Sequence, residues 1–330
     1  MRPLSYVRAT GVDTAIATVA AHPTSAFLAG GTTEIDLIRL GVTGPDLLVD
    51  INALPLADIE DRPGGGLRVG ALARMTDVAR DGRVVRNYPG ISQSLLLGAS
   101  AQLRNMASIG GNLCQRVRCA YFRDGVSPCN KREPGTGCSA LGGMNRGHAV
   151  LGTSEHCIAT HPSDLAVALV ALDAIVHIIG PDSTRTVSID DFYLRPGNTP
   201  QAEHPLAHGE LIAAIEVPPL PVARGSVYVK FRDRQSYEFA LVSVFAALDV
   251  RDGQVAEARI ALGGVASVPW RAHEAEMALV GRPAGVESFA SAADAELRAA
   301  VPREQNAFKI PLTRRAIVRV LRAALDRGQQ

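Results

Sequence analysis

The chain has 330 residues, of which 47% are hydrophobic and 20% charged, and its formal net charge is +1. This length exceeds one compact core of usual size, so we expect two or three subdomains. The composition excludes a largely disordered chain, and no apolar run reaches the length of about 20 residues that a membrane-spanning helix needs. The small net charge gives no reason to expect nucleic-acid binding. The N-terminal residues lack the apolar core of a secretory signal, so we expect no signal peptide.

The beginning of the chain predicts short strands and helices around a pair of glycines. We predict a strand or turn and then a helix over residues 4–22, with Asp13 as candidate cap, followed by a short apolar run that ends at Gly30 and Gly31. A helix is predicted over residues 32–40. A glycine pair between strand and helix lets main-chain N–H groups approach phosphate oxygens. On its own, however, the pair is explained more simply by a tight turn.

A second glycine pair follows in the next stretch. Strands are predicted over residues 46–51 and 67–72, a helix from Thr76 or Asp77 to Arg80, and a helix over residues 88–97. Gly110 and Gly111 then lie between Ser108 and Asn112. Two small-residue cradles favour an anion, such as the diphosphate of a dinucleotide, more strongly than either does alone.

All five cysteines lie between Cys114 and Cys157, and the sequence from Cys119 onward to Cys157 has no helix or strand periodicity. Such a long loop is uncommon inside a domain unless something else orders it. An odd number of clustered cysteines indicates reduced metal ligands rather than a disulfide framework. The absence of a close CxxC pair favours an iron–sulfur cluster over structural zinc, while zinc and unliganded thiols remain as alternatives.

Basic side chains and histidines crowd the same loop. The cations would stabilise a negatively charged cluster and raise its reduction potential, and they are Arg116, Arg118, Arg123, Lys131, Arg132 and Arg146. The loop and its end also carry His148, His156 and His161. These three are spare candidate ligands, although a histidine near a cysteine is more often a hydrogen-bond partner than a ligand.

Regular periodicity returns after the loop. Ser163 is expected to cap a helix over residues 164–174, and strands are predicted over residues 174–179 and 185–189. The sequence PPLP at residues 218–221 marks a domain boundary. Beyond it we predict a smaller α+β domain, with strands over residues 226–232 and 254–262, a strand or helix over 240–250, and helices over 270–280, 286–300 and 313–327.

Four segments in order, LAGGTTEIDLIR, MASIGGNL, THPSDLAVALVALDA and VYVKFRDRQSYEFA, resemble the FAD-binding medium subunit of the xanthine dehydrogenase, or molybdenum hydroxylase, family. The resemblance covers nearly the whole chain. It implies an α+β fold with a two-subdomain FAD-binding unit of the vanillyl-alcohol-oxidase type, here residues 1–62 and 63–218. A domain similar to the C-terminal domain of the carbon monoxide dehydrogenase flavoprotein would follow over residues 222–330.

An insertion distinguishes the chain from most of these flavoproteins. Residues 118–164 resemble the corresponding segment of the flavin subunit of bacterial periplasmic aldehyde oxidoreductase and, more distantly, of 4-hydroxybenzoyl-CoA reductase. The resemblance implies a [4Fe-4S] cluster in the insertion, residues 114–157, with Cys119, Cys129, Cys138 and Cys157 as ligands. Cys114 lies outside the core of this insertion, and we expect it to be a buried thiol that is not a ligand.

The resemblance also implies which residues contact FAD. Those expected around the diphosphate are Leu28, Ala29, Gly30, Gly31, Thr32, Thr33 and Glu34. The second cradle would consist of Ser100, Ser108, Gly111 and Asn112. Asp164 is expected to bond the ribityl hydroxyls and Lys230 to lie near the flavin. The alternatives are a helix-capping role for Asp164 and a solvated strand-edge position for Lys230.

The implied function is electron transfer within a heterotrimeric molybdenum-dependent aldehyde oxidoreductase. Substrate oxidation would occur on a large subunit with the molybdenum cofactor, and a small [2Fe-2S] subunit would pass electrons to FAD here and on to an external acceptor. No residue of this chain is expected to be catalytic, and Tyr237, Glu238 and Phe239 would cover the flavin. The alternatives are a flavin subunit of another molybdenum hydroxylase, a stand-alone flavin oxidase, and a zinc-stabilised binding module. We expect either a periplasmic location, through folded export with a partner, or a cytoplasmic one.

Overall fold

The computed structural model describes residues 3–328 and contains three separate β-sheets. Residues 1–2 and 329–330, at the ends of the predicted first and last domains, lie outside the described residues. The first sheet has three short parallel strands, β1 (Ser5–Arg8), β2 (Ser25–Leu28) and β3 (Leu47–Asp50). Parallel strands need crossover connections, and α1 (Val12–Ala21) and α2 (Glu34–Arg39) supply them.

The second sheet is antiparallel and has five strands, β4 (Ile59–Asp61), β5 (Leu67–Gly70), β6 (Ile175–Ile179), β7 (Thr184–Ser188) and β8 (Leu211–Val217). The spatial order is β4-β5-β8-β6-β7. The central strand β8 is almost entirely buried, whereas the edge strand β7 alternates between exposed and half-buried residues. This difference follows from the position in the sheet, because an edge strand keeps one face in water.

Eight helices belong to this central part: α3 (Met75–Arg80), α4 (Gly82–Asn87), α5 (Pro89–Leu97), α6 (Ala101–Met106), α7 (Ile109–Leu113), α8 (Ala120–Arg123), α9 (Asp164–Ala171) and α10 (Ile189–Phe192). Every residue of α9 is buried, as expected for a helix that is apolar on all sides. α9 contacts strands of the third, C-terminal sheet as well as α5 and α7. Among the residues described, no helix has the length and apolar character that crossing a membrane requires.

The third sheet forms the C-terminal domain with three helices. Its antiparallel strands are β9 (Val227–Phe231), β10 (Val242–Arg251), β11 (Gln254–Gly263) and β12 (Trp270–Arg271), in the order β12-β11-β10-β9. A two-residue turn, Asp252 and Gly253, joins β10 to β11, and both residues have positive φ, as tight hairpin turns require. The helices are α11 (His273–Leu279), α12 (Val286–Leu297) and α13 (Lys309–Gly328).

Most predicted elements exist. Some errors concern their ends, and others are elements that were not predicted, among them the short helices α4, α6, α7, α8 and α10 and the strand β12. α1 begins after Gly11 rather than at Asp13, and α3 begins after Arg74, so neither Thr76 nor Asp77 caps it. Trp270 was expected to start a helix but lies in β12, because it pairs with β11. β4 and β8 were not predicted. Since β4 pairs with β5, the second sheet already begins within the predicted first domain.

Candidate functional site

A long groove runs between the first sheet, the central helices and β9. It consists of two adjoining cavities of about 540 and 430 Å³, which share Thr32, Thr33 and Gly111 as walls. The first cavity extends from this shared region towards β8, and the second towards Asp164 and Lys230. The shared walls make the two cavities one elongated site, a shape that suits a dinucleotide.

The first glycine pair lies where the chain packs closely on the main chain of Met106. A Cβ atom on Gly30 would lie 2.0 Å from the main-chain oxygen of Met106, so only glycine fits there. Gly31 has φ of +71°, in the left-handed region that favours glycine. The pair is therefore a tight turn, and the turn places the chain that follows on the groove wall. Residues 29–34 all line the first cavity.

The second glycine pair forms the opposite wall. The Ser108 hydroxyl caps α7 by accepting a hydrogen bond from the Gly111 N–H at 3.2 Å, and Gly110 packs closely on Ala71. Asn112 lines the second cavity, and its side-chain oxygen accepts a bond from the Ser163 hydroxyl at 2.6 Å. The N–H groups here already have partners, since Gly110 donates to the Ala71 carbonyl at 2.8 Å and Asn112 to the Ser108 carbonyl at 2.9 Å, so this wall contributes small size rather than free donors.

Two of the residues expected at FAD do not line either cavity. Leu28 ends β2 just before the groove, and Ser100 accepts a bond from the Leu103 N–H at 3.3 Å and so caps α6. The remaining expected residues from Ala29 to Lys230 lie on the walls.

Asp164 and Lys230 form a buried ion pair at the far end of the second cavity. Their side chains are 9% and 1% exposed, and Lys230 Nζ lies 2.8 Å from Asp164 Oδ2. The Tyr228 hydroxyl donates to the other carboxylate oxygen at 2.6 Å. Burial and the Asp164 charge raise the pKa of Tyr228 well above its ordinary value, so the hydroxyl stays a donor.

These contacts exclude the two simpler roles considered for Asp164 and Lys230. Ser163, not Asp164, caps α9, since its hydroxyl accepts from the Ala166 N–H at 3.0 Å. Lys230 is buried rather than solvated at a strand edge. The sequence did not single out Tyr228, although it precedes Lys230 by two residues, and that spacing puts both side chains on one face of β9.

Part of the segment 234–239 lines the second cavity. The lining residues are Arg234, Tyr237, Glu238 and Phe239, and Tyr237 is 55% exposed. The Arg118 guanidinium lies 4.9 Å from the centre of the Phe239 ring, a distance at which cation and ring attract. The segment is thus part of the cavity wall.

The cysteines separate into two groups. Cys119, Cys129, Cys138 and Cys157 line one small cavity inside the irregular loop, and Cys129 pairs with Cys138 through an isolated β-bridge. Cys114 lies instead on the wall of the first groove cavity. Burial raises the pKa of Cys114 to about 12 and that of Cys119 to about 11, so in the absence of a metal both are thiols.

Of the six basic side chains expected around the cluster, Lys131 alone lines the cysteine cavity within the described residues, with its side chain only 7% exposed. His148 Nε2 lies 3.2 Å from Cys119 Sγ, and burial lowers the pKa of His148 to about 4. Within residues 3–328, no group of three or more His, Cys, Asp or Glu side chains is arranged to hold a single metal ion.

One carboxylate joins the cysteine cavity to the groove. Glu203 is paired with Arg116, which lines the first groove cavity. Glu203 Oε1 also lies 3.3 Å from Lys131 Nζ. Lys131 also donates to the Pro200 carbonyl at 2.7 Å. No local pattern in the sequence indicated Glu203, because its partners lie 72 and 87 residues away and meet it only in the folded chain.

Two family models match the chain and together cover most of it. Residues 2–220 match the FAD binding domain in molybdopterin dehydrogenase, and residues 227–324 match the CO dehydrogenase flavoprotein C-terminal domain. These matches support FAD as the occupant of the groove.

Curated relatives and solved structures agree with the family models. The chain is 47% identical to the aldehyde oxidoreductase FAD-binding subunit PaoB of Escherichia coli (strain K12), over 98% of this chain and 99% of the relative. It is 27% identical to the glyceraldehyde dehydrogenase medium chain of Sulfolobus acidocaldarius, over 84% and 81% of the two chains.

The fold is that of carbon monoxide dehydrogenase from Hydrogenophaga pseudoflava, with a TM-score of 0.77, 24% identity and coverage of 99% and 98%. Quinoline 2-oxidoreductase from Pseudomonas putida 86 has the same TM-score at 22% identity, with 99% of each chain covered. The predicted α+β fold is confirmed. The chain therefore belongs to the FAD-binding medium subunits of the molybdenum hydroxylase family, a family of oxidoreductases.

Proposed function

We propose that this chain is the FAD- and [4Fe-4S]-carrying electron-transfer subunit of a heterotrimeric, molybdenum-dependent aldehyde oxidoreductase. Its partners would be a large subunit with the molybdenum cofactor and a small subunit whose [2Fe-2S] centres deliver electrons to FAD, from which an external acceptor is reduced. The high identity to a subunit named for aldehyde oxidation supports this substrate class.

The observation that carries the proposal is the grouping of the cysteines. Four of the five share one cavity although up to 38 residues separate them in sequence, and the fifth lies elsewhere. Four thiolates around an enclosed space match the one ligand per iron of a [4Fe-4S] cube. Lys131 on the cavity wall adds positive charge, which offsets the negative charge of a cube with four thiolates.

The residues of the groove also match the chemistry of their proposed cofactor, FAD. Gly30, which has no room for a side chain, brings the main chain to the centre, where the diphosphate would bind beside Thr32, Thr33 and Ser108, and Gly111 leaves room for it on the opposite wall. The buried Asp164–Lys230 pair at the end of the second cavity offers a fixed carboxylate and ammonium to the ribityl and flavin part. FAD supplies the redox chemistry, and the side chains here bind and orient it.

The proposal is tested by the cofactor content of the purified complex. We expect one FAD and four iron atoms per copy of this chain, beyond those of the [2Fe-2S] partner, together with flavin bands and a broad absorption that dithionite bleaches. A colourless chain that contains zinc would overturn the proposal in favour of a zinc-stabilised binding module. Isolation without large and small partner chains would instead favour a stand-alone flavin oxidase.

A second candidate is a flavin subunit for another substrate class, since the chain is also 25% identical to a xanthine dehydrogenase FAD-binding subunit from Escherichia coli O157:H7. Turnover of the complex with aldehydes, but not with xanthine or a hydroxybenzoyl thioester, is the expected result. The opposite selectivity would establish this second candidate.

We further propose that the folded complex is exported to the periplasm with a partner that carries the signal. Cell fractionation tests this proposal. Recovery of all three subunits in the cytoplasm alone would reject export and leave the cofactor assignment untouched.

A further inference from the structure

His148 contacts the sulfur of one candidate cluster ligand. Its Nε2 lies 3.2 Å from Cys119 Sγ, and the residue as a whole is 8% exposed. The other ring nitrogen, Nδ1, is buried and has no hydrogen-bond partner among the described residues. The ring therefore directs its one polar contact at the cysteine.

The direction of this hydrogen bond follows from the chemistry of a bound cysteine. A thiolate that ligates iron carries no proton, so it can only accept a hydrogen bond. The proton must then lie on Nε2, which leaves Nδ1 as an unprotonated acceptor. An acceptor nitrogen in an apolar environment loses less by lacking a partner than a buried charged donor would.

The C-terminal domain holds the segment that carries His148. Asn145 and Gln305 bond each other twice, each through its main-chain N–H and side-chain oxygen, at 3.1 Å in both cases. The Asn306 side chain donates to the carbonyls of His148 and Ala149 at 3.4 and 3.1 Å.

Lys309 reinforces this attachment. The residue is fully buried, and its Nζ donates to the Gly147 carbonyl at 2.9 Å and to the Gly264 carbonyl at 2.6 Å. Burial lowers the pKa of this amine to about 7, and in either charge state its N–H groups can donate to both carbonyls. Lys309 therefore ties the residue before His148 to the C-terminal domain.

We propose that His148 is a positioning residue for the iron–sulfur centre, which donates a hydrogen bond to the Cys119 thiolate and thereby raises the reduction potential of the cluster. This inference rests on the proposed function, because it needs Cys119 as a ligand. The physical reason is that a hydrogen bond to a ligating sulfur withdraws electron density and stabilises the reduced, more negative cluster. Gln305, Asn306 and Lys309 hold the ring in place from the C-terminal domain.

The experiment uses the whole complex with three variants of this chain. His148→Leu removes the donor at similar size, His148→Gln keeps an N–H near the position of Nε2, and His156→Leu makes the same change beside ligand candidate Cys157. His156 lines the same cavity, but its side chain is exposed and its hydrogen bonds involve only its main chain, so this variant controls for an added apolar side chain near the cluster. Redox titration followed by EPR gives the cluster potential, and iron analysis gives its occupancy.

We expect full iron in all three variants, a more negative cluster potential in His148→Leu, and values close to the unaltered chain in His148→Gln and His156→Leu. An unchanged potential in His148→Leu at full iron content would overturn the inference while the proposed function stands. If His148→Leu loses its iron, His148→Gln decides. A cluster potential equal to that of the unaltered chain in His148→Gln supports the donor role, and a more negative one contradicts it. Absence of the additional iron in the unaltered complex would overturn the proposed function itself.

Discussion

The FAD groove and the cysteine cavity are built in different ways, although they are neighbours along the chain: Cys114 and Arg116 line the groove, and Val117 and Cys119 line the cysteine cavity. The groove takes its walls from β2, α2, α7, α9 and β9, so residues from all three sheets or their flanking helices contribute. The cysteine cavity takes almost all its walls from residues 117–159, where α8, with four residues, is the one helix within the described chain.

The source of the hydrogen bonds differs in the same way. In the loop, side chains satisfy the main chain where strands and helices are lacking. Arg132 Nη1 donates to the carbonyls of Tyr121 and Phe122, and the Asn130 side-chain oxygen accepts from the N–H groups of Gly135 and Gly137. The shape of the groove is therefore held by apolar cores and by the main-chain hydrogen bonds of sheets and helices. The shape of the loop depends on polar side-chain contacts and, under our proposal, on its cluster.

The largest expected effect is loss of the cluster from the cysteine cavity without loss of FAD from the groove. Cys129→Ala removes one corner ligand, so we expect loss of the whole cluster, because a cube needs all four. FAD content should stay unchanged, since Cys129 is not on the groove wall. Iron, acid-labile sulfide and flavin analysis of the complex measure both outcomes. Cys114→Ala is the control that keeps its iron; equal iron in Cys129→Ala would contradict the ligand assignment.

The next effect concerns the groove alone. Lys230→Met leaves the Asp164 carboxylate buried without its cation, and breaking such a pair costs about 3–5 kcal/mol of unfolding free energy. Denaturant unfolding measures this loss. The double variant with Asp164→Asn should recover most of it, because no unpaired charge remains.

Arg146→Met is the matched comparison for Lys230→Met. It breaks an ion pair with Asp233 in which both side chains are more than half exposed, and such pairs contribute about 0–1 kcal/mol. Equal losses in the two variants would mean that burial does not govern the Asp164–Lys230 pair.

Gly30→Ala tests the shape of the groove. The added methyl group would collide with the Met106 carbonyl, and overpacking of this kind costs about 1–3 kcal/mol. We expect FAD affinity to fall roughly tenfold, with iron retained. FAD fluorescence on dilution measures the affinity, and Gly44→Ala is the control, since its added atom meets nothing within 4 Å. Unchanged affinity would show that the turn is not part of the binding wall.

Glu203→Gln has the smallest expected effect of the changes made at the two sites themselves, and it probes the connection between them. It leaves Lys131 and Arg116 without their carboxylate, and we expect a loss of about 1–2 kcal/mol, less than for a fully buried pair because Arg116 is 27% exposed. Thermal unfolding combined with FAD and iron analysis measures it. A stability change without any change in FAD affinity or iron retention would show that the two sites are independent.

Local signals predicted the groove residues that act through the main chain. Gly30, Gly31 and Gly111 were recognisable because glycine has a distinct conformational role, and Ser163 because a serine before an apolar helix is a common cap. Asp13 and Thr76 resembled caps equally well but are not caps. Neighbouring contacts decide such cases, and the Thr76 hydroxyl donates instead to Asn105, 29 residues away.

By itself the sequence determined the element types and the candidate residues, because turn chemistry, periodicity and clustered cysteines are properties of neighbouring residues. Only the tertiary structure decided which candidates meet. It paired Asp164 with Lys230 across 66 residues, added Tyr228 and Glu203, and brought four cysteines into one cavity while Cys114 joined the groove. The physical reason is that such contacts depend on how whole sheets and helices pack, and no local pattern contains that information.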